Sequence, residues 1–251
     1  MSYDIRRRGL NMKFKIVEER ELLNAMPVSE IVKFIEQNCQ PVLREIAATK
    51  GAYGAKLGEI TLLYRGIKTA ESMFIGTVRK NRKPKDTSDD FHQLFDDSFS
   101  TIFGWKPRSA GLFATGRYLD AKMYGITFVV FPIGDFNFIY SEEISDLFVA
   151  LENMAINNNF IEELDIKNKK ELSGKWKRSS GPHQNSSRYG MLKKYPEILD
   201  AFIKQNYTDE NFQGGIMSRH EIMIKCDKYV AIEKEFYDDQ KFSDFLFTGI
   251  K

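Results

Sequence analysis

Three short fragments each end an apolar run on a side chain suited to chemistry: Leu62-Leu63-Tyr64-Arg65-Gly66, Gly111-Leu112-Phe113-Ala114-Thr115-Gly116 and Ser218-Arg219-His220-Glu221-Ile222-Met223-Ile224. The forked donors of an arginine fit a phosphate or a ribose. A carboxylate can stabilise a sugar carbon that becomes cationic as its glycosidic bond breaks, and can hold a neighbouring hydroxyl. A threonine hydroxyl can keep that carboxylate in place. Gly66 lets a ligand approach the backbone beside Arg65, and the pair Gly214-Gly215 gives a flexible lead into Glu221. Taken singly, each has a plainer reading, with Arg65 and Glu221 as solvated strand-end charges and Thr115 as a turn residue. At the edges of three predicted strands, they can converge on one cleft despite their separation in the chain.

The charges are nearly balanced, with a formal net of +2, so attraction to an anionic partner must be local. Arg79, Lys80, Arg82, Lys83 and Lys85 put five cations into seven positions. With Arg108 they form a candidate phosphate-binding surface, for a dinucleotide or a nucleic-acid backbone. Lys167 to Lys194 holds nine Lys or Arg and the single acid Glu171. His92 reads as a surface imidazole, and His92, His183 and His220 share no ligand spacing, so no metal is expected. The G-x-S-x-G signal of serine hydrolases is missing. Cys39 and Cys226 read as two buried thiols. The cations near the start precede no apolar core, and no window approaches a membrane span. The expectation is a protein without a membrane partner, cytoplasmic or packaged with something made inside a cell.

The elements that would position these residues follow from periodicity. With 251 residues, 42% of them hydrophobic and 20 of them phenylalanine, a large core is available. Residues 12–50 read as helices divided at Pro41 and ended by Gly51, and the three-glycine stretch Gly51–Gly58 reads as a loop. Short strands are expected at 60–64, 74–78, 110–114, 126–131, 136–140, 221–225 and 229–232. Phe91, Leu94, Phe95, Phe99, Ile102 and Phe103 form the stripe of a helix from Asp89 to Phe103, capped by Ser88. Further helical segments are expected at 118–124, 144–156 and 196–205, with a basic mobile loop at about 166–190. Strands scattered among helices without regular alternation predict an α+β fold. The chain divides into an N-terminal helical segment, 1–58, and an α+β domain, 59–251.

Leu63-Tyr64-Arg65-Gly66, then Phe113-Ala114-Thr115-Gly116 with Ala121 and Tyr124-Gly125 downstream, then His220-Glu221-Ile222-Met223-Ile224-Lys225 followed by Tyr229-Val230-Ala231-Ile232, resemble in this order the arginine, serine-threonine-serine and glutamate motifs of ADP-ribosyltransferases. The resemblance spans roughly residues 60 to 235. It implies a split pair of small mixed or antiparallel sheets with the N-terminal helices as an extension. It further implies NAD as co-substrate and mono-ADP-ribosylation of a protein or nucleic-acid acceptor. Glu221, Arg65 and Thr115 would be catalytic, and Arg65, Gly66, Phe113, Thr115 and Tyr124 would bind NAD. Two positions depart from the pattern. Ala114 stands where the first hydroxyl is expected, and Arg219, two before Glu221, where arginine-modifying members carry Glu or Gln, so arginine is not the expected acceptor. The block from Arg79 through Phe113 also resembles bacteriophage proteins. The alternative is therefore a catalytically inactive, virion-associated or nucleic-acid- or protein-binding protein that keeps the fold.

Overall fold

A computed structural model describes residues 20–51, 60–83, 89–179 and 184–247. Lys85, Ser88, His183 and most of the three-glycine stretch lie outside them. The strands are β1 (Arg20–Leu22), β2 (Tyr64–Ile67), β3 (Met73–Thr77), β4 (Leu112–Thr115), β5 (Ile126–Pro132), β6 (Asn137–Tyr140), β7 (Glu221–Lys225) and β8 (Lys228–Glu233). They join in one antiparallel sheet of order β1-β3-β8-β5-β2-β4-β7-β6, so the fold is α+β and the strands are linked in one sheet, not two. The link is narrow. β2 pairs with β5 over four residues but meets β4 only through Tyr64 opposite Thr115.

This seam divides the sheet into β1-β3-β8-β5-β2 and β4-β7-β6, and the connections show that the two parts fold toward one another. Strands β7 and β8, consecutive in the chain, lie four places apart in the order. In a flat sheet that is about 19 Å, whereas the three steps from Lys225 to Lys228 span at most about 11 Å.

The helices are α1 (Val28–Asn38), α2 (Gln40–Ala48), α3 (Asp89–Phe103), α4 (Pro107–Ala110), α5 (Tyr118–Lys122), α6 (Leu147–Ile156), α7 (Phe160–Glu163), α8 (Lys169–Arg178), α9 (Gln184–Lys194), α10 (Pro196–Asn206), α11 (Phe212–Ser218), α12 (Lys234–Asp239) and α13 (Phe242–Leu246). They build two cores. In the first, Ile31, Ile35, Val42 and Ile46 of α1 and α2 pack with Phe74, Phe128, Val230 and Ile222 from both parts of the sheet. In the second, α3, α6, α8 and α10 gather Phe99, Leu151, Trp176 and Phe202 around Ile139 and Met223. Strand alternation sends Ile222 and Ile224 into the first core and Met223 into the second, so β4-β7-β6 is the wall between them.

Two stretches differ from the sequence reading. Within the N-terminal segment, Arg20–Leu22 is a strand paired with β3, and α1 and α2 share the core of the sheet. The basic stretch at 166–190 is helical in α8 and α9. Its lysines and serines mask the few apolar residues, Leu172, Trp176 and Leu192, that hold it in the second core. Arg188 is fully buried there, its Nη1 donating to the Ala155 carbonyl at 2.6 Å and its Nη2 to Asn158 Oδ1 at 2.5 Å. Lys175–Glu171, Lys177–Glu162 and Lys193–Asp90 ion pairs absorb part of its charge.

Close approach at the end of β4 carries a stability test. A Cβ on Gly116 would lie 1.8 Å from the Ile216 carbonyl oxygen of α11, a backbone atom that cannot swing aside. Gly116→Ala should therefore destabilise the protein by roughly 1–3 kcal/mol, the range of a forced backbone shift. Gly190→Ala, at an exposed position of α9 where the new methyl meets nothing within 4 Å, should stabilise by about 0.4–1 kcal/mol. Denaturant titration of both variants checks the contrast.

Candidate functional site

The seam brings the three sequence fragments together. Tyr64 lies opposite Thr115, and Thr115 opposite Glu221, so the three form one row across β2, β4 and β7. Cross-strand partners share a face, which places Thr115 and Glu221 side by side. Arg65 follows Tyr64, where β2 and β4 part. Its half-buried side chain reaches across, and Nη1 donates to the Phe113 carbonyl at 3.0 Å. The Arg65 guanidinium thus replaces the backbone partner that Phe113 loses at the seam.

Glu221 is held by the turn that delivers it. Arg219 ends α11 with φ 66°, a left-handed conformation uncommon for a residue with a side chain. The Thr115 hydroxyl donates to the Arg219 carbonyl at 2.9 Å and accepts from the Arg117 N–H at 3.1 Å. Thr115 therefore orders the approach to Glu221 without bonding its carboxylate. On the other side, His220 Nδ1 donates to the Ser141 carbonyl at 3.1 Å, tying the turn to the end of β6. The expected flexible pair Gly214-Gly215 lies inside α11, packed against the Tyr140 ring, and is not a hinge.

Glu221 is accessible to solvent at the start of β7, yet the protein around it strips enough hydration to raise its pKa above the usual glutamate value. Arg108, Arg82 and Arg65 pull the pKa back down, and Asp146 pushes it further up.

The segment after β3 spans the open side of the seam. Val78 N–H donates to the Asp227 carbonyl at 2.9 Å on one side, and Arg82 N–H to the Ser109 carbonyl at 2.9 Å on the other. The Arg82 guanidinium lies 4.2 Å from the centre of the Phe113 ring. Beneath this segment is a hollow of about 170 Å³ lined by Arg65, Arg79 and Arg82 with Val78, Leu112 and Tyr229. Lys80 pairs with Asp227 at 3.2 Å, and Lys83 is exposed.

Arg108 enters from α4, which rests on an aspartate missed in the sequence reading. Asp96, fully buried, accepts from the Arg108 N–H at 2.8 Å and from the Ser109 hydroxyl. His92 Nε2 lies 3.0 Å from the same hydroxyl. Burial lowers the His92 pKa against the pull of Asp96, with Arg108 and Arg82 acting in the same direction as burial. His92 is thus a buried member of a network, not a surface imidazole, and Ser109 serves that network and not the edge of β4. The spacing of His92 and Asp96, one helical turn apart within an aromatic stripe, was the available signal. The Arg108 Nε is buried without a hydrogen-bond partner among the described residues.

Other residues fall elsewhere. The space a Gly66 side chain would fill holds the Ala121 carbonyl oxygen, 2.1 Å from the added Cβ, so it is α5 and not a ligand that approaches Gly66. Tyr124 is 66% exposed and lines a separate hollow of about 480 Å³ with Tyr118, Lys122 and Glu233. Ala114 is buried in the first core. Cys39 and Cys226 are free thiols whose pKa values burial pushes up to about 12, which removes them as nucleophiles near neutral pH. Among the described residues, no group of three or more His, Cys, Asp or Glu could hold a metal, and no helix is long and apolar enough to cross a membrane.

Comparison with protein-family models, curated proteins and solved structures gives no match.

The raised pKa of Glu221 has a defined sign in stability. The folded state prefers the protonated carboxyl, so a penalty absent at low pH develops as pH rises through the folded pKa. Glu221→Gln should melt at a higher temperature than the wild type at pH 8, with the gap closing below the ordinary glutamate range. Arg108→Gln should raise the Glu221 pKa further, as followed by carboxyl-labelled NMR titration.

Proposed function

We propose that this chain is an NAD-dependent mono-ADP-ribosyltransferase-like protein that modifies a protein or nucleic-acid acceptor. One observation carries the reading. The arginine, hydroxyl and glutamate strands are immediate neighbours, and Tyr64, Thr115 and Glu221 stand in one row across them. NAD would supply an activated ribosyl group with nicotinamide as its leaving group. The Glu221 carboxylate, accessible yet desolvated, would stabilise positive charge on the ribosyl carbon and hold a ribose hydroxyl. Arg65, anchored on the Phe113 carbonyl, would bind phosphate or ribose. Thr115 acts as a positioning residue through the Arg219 carbonyl. Exposed Arg219 beside the glutamate disfavours a cationic acceptor by like-charge repulsion, so a neutral or anionic group, including a nucleic acid, fits better.

A second reading, an inactive virion-associated or nucleic-acid- or protein-binding protein, draws on a different observation. Exposed Arg79, Lys80, Arg82 and Lys83 cluster on the bridging segment. The Thr115 hydroxyl is also engaged structurally, and the neighbouring position is a buried alanine. This reading predicts salt-sensitive nucleic-acid binding with no NAD consumption.

Incubation with NAD labelled in its ADP-ribose part, in the presence of bacterial lysate or oligonucleotides, separates the two. The wild type should transfer label, and Glu221→Ala should lose about 100-fold or more of the rate, as for removal of a transition-state charge partner. Equal labelling by both proteins, or none by either while both are folded, overturns the transferase reading.

A further inference from the structure

We infer that the hollow beneath residues 78–82 is a diphosphate site, in which Arg79 and Arg82 of the bridging segment close over the anion opposite Arg65. Three observations support this. The first is charge. Three guanidiniums line the hollow, and no carboxylate among the described residues does. Guanidiniums bind phosphate oxygens through paired charge-assisted hydrogen bonds, and a diphosphate offers enough oxygens and charge to engage three of them.

The second is order. Arg65 is fixed by its bond to the Phe113 carbonyl, and Arg82 by its ring contact with Phe113 and by its N–H on the Ser109 carbonyl. The Tyr229 ring, part of the lining, lies across Gly76, where an added Cβ would fall 2.6 Å from the ring. Arg65 and Arg82 are thus held before any ligand arrives, which reduces the ordering cost of binding.

The third is size. The hollow's volume of about 170 Å³ is well below the roughly 300–1,000 Å³ that encloses a whole drug-sized ligand. It suits a headgroup whose organic remainder lies outside. The three arginines line one hollow, whereas a polynucleotide needs a track of cations along a groove.

This inference deepens the transferase reading, and rests on it only for the direction of the attached ribose. Arg82 and Arg65 also act on the Glu221 carboxyl, so the anion site and the carboxylate share guanidiniums. A dinucleotide held here by its diphosphate would turn one ribose toward β7. The diphosphate itself could come equally from a dinucleotide or from a nucleoside diphosphate.

Calorimetry with pyrophosphate, ADP, AMP, NAD and a 20-nucleotide single strand tests the site. Pyrophosphate and ADP should bind the wild type, with AMP at least ten-fold weaker. Arg79→Gln and Arg82→Gln, at exposed positions, should each weaken pyrophosphate binding about ten-fold, the size of one lost charge-assisted hydrogen bond. Their melting temperatures show that the variants are folded. NAD binding at the same residues identifies a dinucleotide as the source, and ADP binding without NAD binding identifies a nucleoside diphosphate; either supports the site. If pyrophosphate binds through these arginines while NAD is never consumed, the diphosphate site stands and the transferase reading falls. If NAD is consumed but both variants bind pyrophosphate like the wild type, the site falls and the transferase reading stands. No pyrophosphate binding by folded wild type overturns the site, as does oligonucleotide binding in its place with the same arginine dependence.

Discussion

The bond from Arg65 Nη1 to the Phe113 carbonyl replaces the ladder that β2 and β4 stop forming after Tyr64 and Thr115. A buried backbone carbonyl left without a partner costs about 1–3 kcal/mol, so a strand pair can open only where something else reaches that oxygen. Glycines let helices crowd both strands at this point. The Ala121 carbonyl of α5 occupies the space beside Gly66, and the Ile216 carbonyl of α11 the space beside Gly116. The opening is therefore a packed feature, and the row containing Glu221 and the arginine-lined hollow both depend on it.

At the far end, the opening is closed by connections and not by pairing. The two-residue link Cys226-Asp227 draws the ends of β7 and β8 together, and the Asp227 carbonyl accepts the Val78 N–H. From there the chain crosses to the Ser109 carbonyl, whose own segment is held by buried Asp96. A run that reads as a solvated charged loop thus has backbone bonds on both banks over residues 78–82. Its charge density acquires a location because its backbone has one.

Local patterns were legible where packing follows period. The aromatic stripe predicts α3 from Asp89 to Phe103, and the apolar runs predict β5, β6 and β7 to within a residue or two. What was hidden is non-local. Nothing in the sequence tells that β7 and β8, two residues apart, pair with β4 and β3 instead of each other. Helices α8 and α9 were obscured because three apolar side chains carry the burial amid lysines and serines. At the site, the convergence of the Arg65, Thr115 and Glu221 fragments was expected from their strand edges, but their order in the sheet was not. The target of the Thr115 hydroxyl, the α5 contact at Gly66 and the separate hollow of Tyr124 depend on contacts that sequence spacing does not encode.

The turn before Glu221 concentrates conflicts with local preference. Arg219 occupies a left-handed conformation that costs a side-chain-bearing residue about 1–2 kcal/mol. The next strand then begins with a carboxylate whose ionisation the surrounding protein opposes. Hydrogen bonds from Thr115 and His220, typically about 0.5–1.5 kcal/mol each, offset the first of these. Three nearby arginines reduce the second without abolishing it. A glycine at 219 and a neutral residue at 221 would relieve both, so foldability alone does not account for the arrangement. Conflicts that the surrounding structure over-determines are characteristic of functional positions. Here they meet at Glu221, exposed at the start of β7. The hydroxyl of Thr115 contributes by fixing the turn from which that strand starts, which makes the middle fragment a support for Glu221.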